Sequence, residues 1–79
     1  MSIDAAIKQI QLTIKATSSG TDIKVVKISE EEARISVYAA ADDMQAIKDA
    51  TFQPVLDFLI EGLDIQVFVY DKDNPIVSA

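Results

Sequence analysis

The chain has 79 residues, neither cysteine nor histidine, and 13 acidic against 7 basic side chains, for a net charge of −6. That composition excludes disulfide staples, thiolate or imidazole metal sites and histidine-activated nucleophiles, and the acidic surplus opposes a phosphate backbone, so no nucleic-acid partner is expected. At this length only about 60% of the unfolded surface is buried on folding. The chain therefore reads as one domain, 1–79, whose core works unaided or is shared with another subunit; its apolar fraction of 49% permits the former. No run approaches the roughly 18 apolar residues of a membrane span. Met1-Ser2-Ile3-Asp4 has an early acid and no basic segment, so a secretory signal is not expected and the expected location is cytoplasmic.

In chain order, the first element is a helix over 3–16. Ile3, Ala6, Ile7, Ile10 and Ile14 fall at the spacing of one buried helical face, with Ser2 as candidate N-cap and Asp4 in the first turn. Gln9 to Ile14 also alternates like a strand, but over half the length. Ser18-Ser19-Gly20 ends the element, with Gly20 free to adopt the left-handed stop. Strands over 22–28 and 33–39 follow. Ile35, Val37 and Ala39 share one face of the second, and Arg34, Ser36 and Tyr38 the other. The polar connection Ser29-Glu30-Glu31-Glu32 makes the pair an antiparallel hairpin. Adjacent Val25 and Val26 imply a bulge or a strand covered on both faces.

Asp42 and Asp43 are placed to cap a helix over 42–50. Pro54 interrupts it; a proline costs about 3 kcal/mol inside a helix and almost nothing at its first turn. Two helices are therefore expected, the second over 54–61 with Val55, Phe58 and Leu59, stopped by Gly62. The last strand, 63–70, sets Leu63, Ile65, Val67 and Val69 on one face and Gln66, Phe68 and Tyr70 on the other; 71–79 is a turn and tail. The order α-β-β-α-α-β predicts an α+β two-layer domain, with a three-stranded mixed sheet and helices on one face. Its core should hold Ile35, Val37, Val67 and Val69 against Ile7, Ile10, Ile14, Ile47, Val55 and Leu59.

The succession of a leading helix, D-I-K-V-V-K-I, an acidic turn, A-R-I-S-V-Y-A-A, a helical stretch and D-I-Q-V-F-V-Y resembles the carboxy-terminal scaffold domain of NifU-type iron–sulfur assembly proteins over roughly residues 3–71. That family holds its cluster on two cysteines just after the second strand. The matching stretch here, Ala39 to Gln45, has none, and its aspartates cannot replace soft thiolates. The resemblance thus implies the fold, or a degenerate scaffold that lost its cluster ligands, and no functional residue. The order also looks like a type II KH domain, whose Gly-x-x-Gly loop would fall on Ala50 to Gln53, where there is no glycine.

Paired carboxylates could do acid–base work, but Asp42-Asp43 reads first as a helix start and Glu30-Glu31-Glu32 as a solvated turn. Asp71-x-Asp73 opens like a calcium loop, yet Ile76 stands where a glycine is needed and the sequence ends before the glutamate position. No cofactor, metal site or enzymatic activity is expected. What remains is the uncovered sheet face, where Tyr38, Phe68 and Tyr70, with Val26 and Ile28, form a candidate interface unless the tail at Ile76-Val77 covers them. The sequence therefore points to a non-enzymatic interaction module binding a protein partner or itself. The alternative is an acidic binder of a metal ion or small molecule through Asp42, Asp43 or Asp71.

Overall fold

The computed structural model describes residues 2–73 and has the element order α1 (Ile3–Thr17), β1 (Asp22–Lys27), β2 (Glu32–Ala39), α2 (Ala41–Ile60) and β3 (Asp64–Asp71). This is an α+β fold with a mixed three-stranded sheet, ordered β1-β2-β3. β1 pairs antiparallel with β2, and β3 pairs parallel with β2 across the α2 crossover. The expected tail contact of Ile76-Val77 lies outside the described residues.

α1 forms as its pattern dictates. The buried residues are Ile3, Ala6, Ile7, Ile10 and Ile14, and the Ser2 hydroxyl accepts the Ala5 N–H at 3.1 Å. The helical stripe outweighs the six-residue alternation because it buries one continuous face. Lys27 of β1 lies 3.4 Å from Asp4 and 3.4 Å from Glu30. Desolvation works to lower the Lys27 pKa, but these carboxylates overcome it and raise the pKa above the ordinary lysine value.

The helix ends at Ser18-Ser19-Gly20 as expected, but not through Gly20. Ser18 is the C-cap and donates its N–H to the Ile14 carbonyl, so Gly20 adopts no left-handed conformation. The hairpin has no bulge either. Its register runs unbroken, Val25 opposite Ile35 and Val26 opposite Arg34, so successive valines point to opposite faces. β1 also stops at Lys27, because Ile28 and Ser29 both turn their N–H groups to the Glu32 carbonyl and close the hairpin loop.

The largest departure is α2. The expected helices 42–50 and 54–61 are one 20-residue helix with Pro54 inside it. Pro54 removes one backbone hydrogen bond, but Ile47 and Thr51 before it and Phe58 after it lie on one buried stripe, so tertiary burial outweighs the local break. Ala50 to Gln53 is therefore helical. Asp42 and Asp43 are not the cap. Ala40 holds that position with no side-chain bond, and both aspartates sit in the first turn, where their charge suits the helix dipole. At the other end, Gly62 has φ of 91°. The Gly62 N–H reaches the Leu59 carbonyl at 2.9 Å and the Leu63 N–H the Phe58 carbonyl at 2.8 Å. This is a Schellman stop, with Phe58 and Leu63 both buried as its apolar pair.

The core joins the α1 stripe, Ile47 and Phe58 to Ala33, Ile35, Val37, Ala39, Leu63 and Ile65. Every inward residue of β2 is fully buried. Val67, Val69 and Val55 are half-buried and pack against this core, while Leu59 is exposed rather than part of it.

The two glycines should respond differently to a methyl group. A Cβ built at either meets nothing within 4 Å, so any cost is conformational. Gly62→Ala should lower stability by about 1–2 kcal/mol, the penalty of the left-handed region, and Gly20→Ala should change it by less than about 0.5 kcal/mol. Thermal or urea melts check this; equal losses at the two sites would contradict it.

Candidate interaction surface

The sheet face away from the helices carries the aromatic residues the sequence singles out. The register sets them in rows: Asp22–Tyr38–Tyr70, then Lys24–Ser36–Phe68, then Val26–Arg34–Gln66. Tyr38 and Tyr70 are thus cross-strand neighbours. Their rings stack with centroids 5.3 Å apart at 23°, a geometry that itself contributes to pairing. The Arg34 guanidinium stands 6.0 Å from the Phe68 ring centroid, at the limit of a cation–π contact. Tyr38, Phe68 and Tyr70 therefore gather on the β3 side. Val26 and Ile28 lie apart from them, beyond Arg34 and Ser36, on β1 and in the hairpin loop. Val26, Ile28, Phe68 and Tyr70 are exposed, and Tyr38 is half-buried.

The carboxylates do not converge. The Asp43 carboxylate accepts the Ser18 hydroxyl at 2.8 Å and ties the end of α1 to the start of α2. Asp71 accepts the Asp73 N–H at 2.9 Å, forming a local turn. Glu32 accepts from the Gln66 amide at 3.0 Å, bridging β2 and β3. Among the described residues no three acidic side chains come together as metal ligands, and no helix is long and apolar enough to cross a membrane.

The structure adds a feature that the sequence reading missed. On the helix side of β3 an apolar groove of about 270 Å3 runs between α2 and the sheet. Its walls are Phe52, Val55, Leu56 and Leu59 from α2 and Val67 and Val69 from β3, with Thr51 and Lys48 at one end. It arises because α2 carries two stripes. Ile47, Thr51 and Phe58 enter the core; Lys48, Phe52, Val55, Leu56 and Leu59, at i, i+4, i+7, i+8 and i+11, form a second row beside it. Phe52 is 68% exposed, Leu59 52% and the neighbouring Ile60 77%. The signal is present in the sequence, but only in a helix read through Pro54. Thr51, buried on the core stripe, is satisfied by donating its hydroxyl to the Ile47 carbonyl at 2.8 Å.

The groove and the aromatic cluster flank the same strand. β3 is an edge strand, with Val67 and Val69 on one face and Phe68 and Tyr70 on the other. Exposed apolar surface thus extends from α2 around the β3 edge to the outer sheet face, which is the kind of continuous patch that marks an interface.

No family model, curated protein or solved structure matches the chain.

The two phenylalanines of α2 separate folding from surface. Phe58→Ala should cost about 3–5 kcal/mol, as a buried aromatic does, whereas Phe52→Ala, measured at dilution on the single chain, should change stability by no more than about 0.5 kcal/mol. Comparable losses in chemical denaturation would place Phe52 in the core and contradict this division.

Proposed function

We propose that the chain is a non-enzymatic protein-interaction module that binds through the surface centred on β3. One observation carries the reading: the apolar groove and the aromatic cluster meet along a single edge strand. A monomer gains nothing from Phe52, Leu59 and Ile60 in water, while a partner that covers them gains about 25 cal/mol per Å2 of apolar area removed from solvent. Aromatic residues such as Phe52, Phe68 and Tyr70 are those that interfaces favour. The carboxylates are scattered, and Asp43, Glu32 and Asp71 are each engaged in a structural hydrogen bond, which supports this reading over an acidic binder of a metal ion or small molecule. The resemblance to cluster-assembly scaffolds fits the same class, as a domain that keeps a partner surface without cluster ligands.

Photo-crosslinking in the native cell tests the surface. A benzophenone side chain replacing Phe52, Leu59 or Phe68 should give discrete protein adducts, and one replacing exposed Lys8 on α1 should give none. Absence of adducts at all three positions, or equal labelling from Lys8, would contradict the proposal.

A further inference from the structure

Among the described residues the sheet has two unpaired edges, and they differ. β1, Asp-Ile-Lys-Val-Val-Lys, has a lysine at its third and sixth positions, the residue that natural edge strands use to block further pairing. β3 has six consecutive uncharged residues, Ile65 to Tyr70, between Asp64 and Asp71, with no proline, glycine or lysine among them. A long edge strand of that kind is a template for another strand.

Resting on the interaction-module reading, we infer that the occupant of this surface is a second copy of the chain, paired β3 to β3 in antiparallel fashion across a two-fold axis. Three strands from each copy then form one continuous six-stranded sheet. An axis perpendicular to the sheet keeps the helices of both copies on one side. Facing residues must then share a face, and so be both even or both odd in number. This excludes the registers that set Asp64 against Asp71.

Charge selects among the rest. Centred on Phe68, the register sets Asp64 opposite Lys72, Gln66 opposite Tyr70 and Val67 opposite Val69. Centred on Val67, it sets Asp64 opposite Tyr70; centred on Val69, it sets Lys72 opposite Gln66. Asp71 faces an aliphatic side chain in all three and does not discriminate. Only the Phe68-centred register brings opposite charges together, Asp64 at the start of β3 facing Lys72 in the turn just past its end, and opposite charges facing across a sheet are stabilising. Asp64 and Lys72 are exposed, and neither forms an ion pair among the described residues.

The groove completes the fit. Packed helices stand about 8–10 Å apart, roughly two strand spacings. α2 packs against β3 in each copy, so in the joined sheet the exposed stripes of the two α2 helices face each other over the paired strands. Phe52, Leu56 and Leu59 of the two copies then close over Val67 and Val69.

The absence of cysteine makes the register directly readable. Facing residues in an antiparallel pair stand about 4.5–5.5 Å apart at Cα, within the span of a disulfide. The unmodified chain should sediment at twice its 8.6 kDa mass. Phe68→Cys, exposed in the single chain, should melt when reduced and dilute as the unmodified chain does, and should oxidise to a disulfide dimer at higher concentration. Val67→Cys and Val69→Cys should each resist crosslinking alone and crosslink when mixed. Val26→Cys on β1 should stay reduced. Lys72→Asp should weaken self-association on the order of tenfold, and Asp64→Lys in the same chain should restore most of it. A monomer at several hundred micromolar, or a dimer that crosslinks through Val26→Cys and not Phe68→Cys, would overturn the inference. Benzophenone adducts to a different protein with a monomeric chain would overturn the second copy alone; a monomer with no adducts would overturn the interaction-module reading as well.

Discussion

The structure depends on the burial of β2. Among the described residues it is the one strand with a neighbour on each edge, and its inward residues Ala33, Ile35, Val37 and Ala39 are all fully enclosed. The hairpin places β1 on one side. A parallel neighbour on the other requires the chain to return from the end of β2 to its beginning, which a helical crossover does. At about 1.5 Å per residue the 20 residues of α2 span roughly 30 Å, more than the eight-residue strands need at about 3.3 Å per residue. One stripe of this helix enters the core that β2 shares. The remainder has apolar residues with no structure to cover, and they overhang the strand that the crossover leaves at the edge.

Much of this is legible in the residues. The isoleucine and alanine spacing of α1 specifies its buried face one residue at a time, and the alternation in β2 and β3 assigns each side chain to the core or to the outer face. Pro54 is where local reasoning fails. Its cost is a local quantity, while the compensation comes from Ile47 and Phe58 entering the same core, which only the tertiary arrangement displays. Splitting the helix at Pro54 also hides the second stripe, because Phe52 and Leu56 then fall in different elements. Leu59 is misassigned to the core for the same reason. Gly20 and Gly62 show the contrast at the level of single residues: both can end a helix, but only at Gly62 does the chain turn back through the left-handed region.

The candidate surface changes accordingly. Tyr38, Phe68 and Tyr70 lie together as the β3 alternation implies, but the Tyr38–Tyr70 stack already satisfies part of that aromatic area within the chain. The larger unsatisfied area is on the helix side, in Phe52, Leu59 and Ile60. β3 links the two. A strand that is apolar on both faces and unpaired on one edge leaves backbone and side chains unsatisfied in the same place. For a small domain without disulfide or metal staples, sharing that edge also adds core, and so relieves the thin stability margin that its length imposes.

The edge asymmetry is most directly measured by residue-resolved amide hydrogen exchange over a range of protein concentrations. If β3 is the interaction edge, its outward-facing amides exchange slowly, with protection that falls on dilution, while the outward amides of β1 exchange rapidly throughout. Equal, concentration-independent exchange at the two edges would contradict the central claim.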